Sequence, residues 1–280
     1  TSAVAAGFWF LVAERWLRGI VSNRWARYGA AFGGVLVGAT SWSVWNQSTV
    51  NEKVYTVSLL SIALVMWLVV RWGDDDPGSH RDRWLVLIAY VLALSSTNHL
   101  MGLLAVPALV VYVLWTDWKV LTRPPVLIGI AIAAVVGISL NYLYLPIRAG
   151  QYPPINEGEP VCRSIVQVLT FKCQALSDVL NRVQYGKPRI LDRQASFIGQ
   201  LANFWQYYSW QFARNWGRFS GVATAIFTAL GLSGLYALWK SDRRAGVAGL
   251  ALLGPLSLAL VFYMNFKYGF SQYPDQAALP

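Results

Sequence analysis

Long apolar stretches separated by short basic turns run through the chain, and this alternation sets the first expectation. Residues 28–45, 54–70, 125–145, 219–239 and 246–265 carry no charged side chain. A helix rising 1.5 Å per residue needs about 20 apolar residues to cross roughly 30 Å of hydrocarbon, so each stretch predicts a transmembrane helix. A sixth run, residues 84–115, is too long for one helix at the usual tilt and short for two full spans. It predicts two short or tilted helices turning near residues 96–99, with Asn98 and His99 at the tip of the hairpin. The opening "TSAVAAGFWFLVA" is a further apolar segment that stops at Glu14 and Arg15. Without a basic leading region or a cleavage site, it reads as a helix cut short, with sequence missing upstream, rather than as a signal peptide.

Composition agrees with a bilayer as the solvent. Of 280 residues, 56% are hydrophobic and 13% charged, where a soluble domain is about one quarter charged. The expected fold class is an all-α, polytopic transmembrane helical protein of about eight membrane segments, the first truncated, with one long extracytoplasmic loop. Three parts follow: helices over residues 1–145, an outer loop with an amphipathic interfacial helix over 146–218, and two further helices with an outer tail over 219–280.

The net charge of +10 would suit a polyanion partner, but its placement points elsewhere. Alternate short connections carry Arg15, Arg18, Arg24, Arg27, Arg71, Arg81, Arg83, Lys119, Arg123, Lys240, Arg243 and Arg244. The intervening short connections carry only Lys53 and Lys267. That asymmetry is the positive-inside pattern, which puts the basic turns in the cytoplasm and the long loop outside, and leaves no role for nucleic acid. Both cysteines, Cys162 and Cys173, fall in the outer loop. An oxidising exterior permits a disulfide between them, with free thiols as the alternative.

Within the outer loop, "FIGQLANFWQYYSWQFARNWGRF" sets Leu201, Phe204, Trp205, Tyr208, Phe212 and Trp216 at helical spacing against a side of Gln, Asn and Arg. This predicts an amphipathic helix in the membrane interface, where Trp and Tyr are favoured, and membrane lipid is its expected contact. Candidate chemistry collects on the same outer side: Glu52 and Tyr55 at a helix start, Asn98 and His99 at the hairpin tip, Arg148 at a helix exit, and Asn156 and Glu157 in the loop. Each has a plain structural use, as a cap or a snorkelling cation. Together, carboxylate, imidazole and guanidinium suit an anionic lipid-linked substrate. The run Asp74, Asp75 and Asp76 lacks ligand spacing and reads as a solvated turn, so no metal site is expected. Asn46 in "NQS" lies too near the membrane to be more than a chance glycosylation match.

Taken in order, "WSVWNQSTVNEKVYTVSLL", "LALSSTNHLMGLLAVPALVVYVL", "NYLYLPIRAGQYPPINEGEP", "VLNRVQYGKPRILDRQASF" and "FWQYYSWQFAR" resemble a family of bacterial polytopic membrane proteins. That family is related to a eukaryotic transmembrane protein O-mannosyltransferase and is placed with the GT-C glycosyltransferases. The resemblance implies a GT-C-like core in the bacterial cytoplasmic membrane, with the long loop in the periplasm or exterior. It implies transfer of a sugar, mannose being one candidate, from a polyprenyl-phosphate donor to an acceptor protein or glycan. Whether a divalent metal assists is left open. On this reading Glu52, Tyr55, Asn98 and His99 line the outer cavity, and Arg148 pairs with the donor phosphate. The family's acidic "Asp-Ser-Gly-Glu"-like and "His-Pro-Pro-Gly-Tyr-Pro"-like segments lie upstream of the matched region and are not in this chain, so no catalytic base is assigned. A non-catalytic scaffolding subunit of a membrane assembly is the competing reading. A transporter is weaker, because the span interiors hold few charges and no inverted repeat is evident.

Overall fold

The computed structural model describes residues 1–50, 54–149, 151, 174, 177–178, 183 and 190–266. Among these no strand occurs, and the protein is an all-α polytopic membrane protein. Helix α1 (Ser2–Leu17) is followed by α2 (Arg24–Ala39), the short α3 (Trp42–Thr49) and α4 (Val54–Asp74). Next come α5 (Ser79–Asn98), a 3-10 turn (Leu100–Ala105) leading into α6 (Val106–Asp117), a second 3-10 turn (Trp118–Thr122), α7 (Pro124–Tyr142) and α8 (Tyr144–Ala149). Further along, α9 (Phe197–Ala213) precedes α10 (Ser220–Ser241) and α11 (Arg243–Gly254), which continues through a π-turn at Pro255 into α12 (Leu260–Met264).

Four of these rods are long and apolar enough to cross a bilayer: Val54–Asp74, Leu100–Thr122, Gly217–Ser241 and Arg243–Met264, with Pro124–Leu140 a shorter apolar one. α4 is the centre of the bundle, since 56% of its spanning window is buried against 22% for Leu100–Thr122 and 17% for Gly217–Ser241. Its Val65, Met66, Val69 and Trp72 form the core with Val12, Ile88, Ala108 and Tyr112. The remaining apolar surface faces outward, as Ile128, Ile132 and Val135 of α7 and Ile226, Leu230 and Leu232 of α10 do. A helix apolar all round is stable only in hydrocarbon or a core, so this is the surface a bilayer must cover.

Helices run alternately between two ends, and the ends differ in chemistry. At one end arginine pairs with aspartate: Arg15 with Asp74, Arg81 and Arg123 with Asp117, Arg123 with Asp82. At the other, hydroxyls and amides meet: Thr1 with Thr56 at 2.9 Å, Ser2 with Ser48 at 2.6 Å, and Ser43 with Tyr207 at 2.7 Å. The basic turns expected on one side therefore do gather at one end of the bundle. Asp74 and Asp75 are not merely solvated there. Asp74 takes two hydrogen bonds from Arg15, and Asp75 accepts one from the Trp84 indole at 2.8 Å.

The turn expected near residues 96–99 occurs where α5 ends at Asn98 and His99 goes extended, at φ −159° and ψ 138°. Gly102 is required just beyond it, because a Cβ there would overlap the Ser95 hydroxyl. The span expected over residues 28–45 breaks instead after Ala39. The Thr40 hydroxyl donates to Leu36 O at 2.8 Å and Ser41 to Gly38 O at 2.8 Å, so both serve the last carbonyls of α2 while the chain turns into α3. An apolarity profile sees no boundary at that point, since "GATSWSVW" holds no charge and no proline.

Candidate functional site

The far end from the arginine–aspartate pairs carries three of the polar residues singled out by sequence. Tyr55 stands in the first turn of α4, Asn98 closes α5, and His99 opens the 3-10 turn. The structure brings these three together. The Tyr55 and His99 rings lie 5.5 Å apart between centroids. Asn98 donates through Nδ2 to the Val54 carbonyl at 3.1 Å, with the Ser58 hydroxyl at 3.5 Å. One hydrogen bond therefore ties the end of α5 to the start of α4 and fixes where His99 sits.

His99 accepts a hydrogen bond at Nδ1 from the Met101 amide at 3.1 Å. A neutral imidazole that uses Nδ1 as acceptor carries its hydrogen on Nε2. In this tautomer Nε2 is a donor and not a base. The Thr1, Thr56, Ser2 and Ser48 hydroxyls extend the same polar end across α1, α3 and α4.

Arg148 lies on α8 with its side chain exposed and donates to Gln151 at 3.1 Å. Among the described residues no hydrogen bond or ion pair joins it to Tyr55, Asn98 or His99. Glu52, Asn156 and Glu157 lie outside the described residues, as do Cys162 and Cys173. Among the described residues no cluster of three or more His, Cys, Asp or Glu could hold a metal ion.

α9 flanks this end. Its N-terminus is capped by Ser196, whose hydroxyl accepts from the Gly199 amide at 3.1 Å. Its glutamine side turns into the protein: Gln200 is wholly buried, and Gln211 accepts from the Ser43 amide at 3.1 Å. Trp205 and Trp216 remain largely exposed. Arg214 lies over both Trp42 and Trp210, at 4.4 and 4.8 Å, and so clasps α3 to α9.

Two arrangements escaped sequence reasoning. One is the knot in which Arg193 donates to Phe262 O at 2.8 Å and to the Gln200 side chain, while Asn265 donates to Asp192 O at 2.9 Å. It fastens residues 190–194, which precede α9, to the end of α12. The other is the buried pairing of Arg81 with Asp117. Its only sequence signal is an aspartate at each end of the apolar run 84–115, among arginines.

Residues 1–122 match the family model described as the protein O-mannosyl-transferase TMEM260 N-terminal domain. The matched segment runs from α1 through the second 3-10 turn and contains Tyr55, Asn98 and His99. No curated protein and no solved structure matches the chain.

Proposed function

We propose that the chain is part of a membrane glycosyltransferase that moves a sugar from a polyprenyl-phosphate donor to a hydroxyl of an acceptor protein or glycan. The observation that carries this reading is the match of residues 1–122 to an O-mannosyl-transferase domain, whose polar residues converge at one end of the bundle. Mannose is the sugar this similarity favours. Transfer takes place at the end away from the arginines, which the positive-inside rule puts outside the cell, in a bacterial cytoplasmic membrane. The whole takes the GT-C type of architecture.

In that reaction the acceptor oxygen attacks the anomeric carbon and the bond from that carbon to the phosphate oxygen breaks. Polyprenyl phosphate leaves with the bonding electrons, and the hydroxyl proton passes to a base not assigned here. His99 Nε2–H and the Arg148 guanidinium hydrogen-bond the charge that develops on the leaving phosphate, the step at which fixed donors contribute most. Tyr55 holds the His99 ring, and Asn98 fixes the turn that presents it. Glu52, Asn156 and Glu157 are the further candidates for substrate contact.

The test is transfer from polyprenyl-phosphate mannose in membranes holding the full-length protein. His99→Ala and Arg148→Ala should each lower kcat by about 100-fold or more, the usual effect of deleting a donor to a developing anion. Unchanged transfer in both variants, or none from any polyprenyl-phosphate sugar in the wild type, would overturn the reading.

A further inference from the structure

A slot of about 610 Å³ opens along the membrane-facing side of the bundle, between α1, α2 and α10. Trp9 and Trp16 of α1 form one wall, Ala30, Gly34 and Gly38 of α2 the second, and Gly234 of α10 stands opposite. The helices do not fill this space themselves. A Cβ added at Gly34, Gly38 or Gly234 would meet no atom within 4 Å. The slot runs nearly the length of the helices, from Ser2 and Val44 at the hydroxyl end to Ile20 and Leu238 at the arginine end.

At the arginine end two turns come together, because Gly19 in the α1–α2 turn lies directly against the Ser241 hydroxyl at the end of α10. The charge on these turns is lopsided. Glu14 is taken up by Arg18 and Arg27, and Asp242 lies 3.6 Å from Arg244. Arg24, Lys240 and Arg243 are exposed and form no ion pair among the described residues. The apolar slot therefore ends at Ile20 and Leu238, at the same end of the helices as three cations with no carboxylate of their own.

We infer that this slot holds an acyl chain of an anionic phospholipid whose headgroup rests on Arg24, Lys240 and Arg243. Basic clusters beside clefts between membrane helices select anionic headgroups, and the apolar walls exclude any polar occupant. The headgroup cluster lies at the opposite end from Tyr55, Asn98 and His99, and although the slot itself reaches the hydroxyl end at Ser2 and Val44, the inference needs no sugar donor.

Native mass spectrometry of the full-length protein in detergent, equilibrated with equimolar phosphatidylglycerol and phosphatidylcholine, tests the site. The wild type should retain phosphatidylglycerol over phosphatidylcholine by about fivefold or more. Gly34→Leu, whose Cβ has no atom within 4 Å and whose side chain would occupy the slot, should remove most of the retained lipid. Gly33→Leu, on the same helix but outside the slot lining, should remove none. The triple change Arg24→Gln, Lys240→Gln and Arg243→Gln should bring the two lipids to equal retention. Equal retention in the wild type overturns the proposal, and so does a Gly34→Leu variant that keeps as much lipid as Gly33→Leu. Loss of a co-purifying membrane protein from Gly34→Leu, with lipid unchanged, would assign the slot to a partner chain and also overturn it.

Discussion

Arg81 and Asp117 meet at 2.6 Å although the arginine side chain is only 4% exposed. The guanidinium lies over the Trp72 ring at 4.6 Å, so on one side it has an aromatic face in place of water. Asp117 also accepts from Arg123 at 2.7 Å, and Arg123 reaches Asp82 at 2.8 Å. Two cations and two carboxylates thus join the start of α5, the end of α6 and the residue before α7. Asp82 and then Asp117 hold the Arg123 pKa above its ordinary value, so this arginine stays charged at any working pH.

Asp117→Asn is expected to cost about 3 to 5 kcal/mol, because it leaves Arg81 buried without its carboxylate. Thermal unfolding of the detergent-solubilised protein measures this, with Asp76→Asn on the exposed turn as the control. Equal midpoints for the two variants would mean that the pairing contributes nothing.

Gly102→Ala is expected to destabilise the protein by about 1 to 3 kcal/mol, the usual result of forcing an extra methyl into a packed site. The added Cβ would overlap the Ser95 hydroxyl, so Ser95→Ala placed in the Gly102→Ala background should recover part of the loss. A double variant no more stable than Gly102→Ala alone would show that the contact is not what requires glycine.

Most of the bundle was legible because hydrocarbon imposes one strong rule: every span must be apolar and helical. The break at His99 followed from length, since residues 84–115 fit neither one helix nor two. The break at Thr40 did not, because hydroxyls ended α2 without changing its apolarity. Tyr55, Asn98 and His99 come together because α4 and α5 are consecutive antiparallel helices packed side by side, which sets the start of one beside the end of the other. The partners of Asn98 were not legible: Val54 contributes only its carbonyl, which carries no sequence signature. Likewise Gln200 looked like the wet side of an amphipathic helix, whereas a buried amide that finds an arginine and a backbone carbonyl has the same sequence pattern.

The Tyr55 contact separates a role for the ring from one for the hydroxyl. The ring packs against His99, so Tyr55→Phe should retain sugar transfer by the full-length protein within about threefold, while Tyr55→Ala loses the aromatic contact and falls further. If Tyr55→Phe falls as far as Tyr55→Ala, the phenol oxygen takes part in substrate contact directly.

The knot at residues 190–194 depends on the shape of Arg193 as well as its charge. Its guanidinium donates to Phe262 O at 2.8 Å and to Gln200, and lies 5.6 and 5.1 Å from the Phe197 and Phe262 ring centres. Its planar fork reaches two acceptors at fixed spacing while its face stacks on the rings; a lysine ammonium also donates, but from a single point and without that face. Arg193→Lys should therefore lose much of the stability that Arg193→Met loses, about 1 to 3 kcal/mol, because it cannot serve Gln200, the Phe262 carbonyl and the rings at once. Residues 190–194 would be released first, so limited proteolysis should cut there in both variants before the bundle unfolds. A lysine variant as resistant as the wild type would show that positive charge alone holds the loop end to α12.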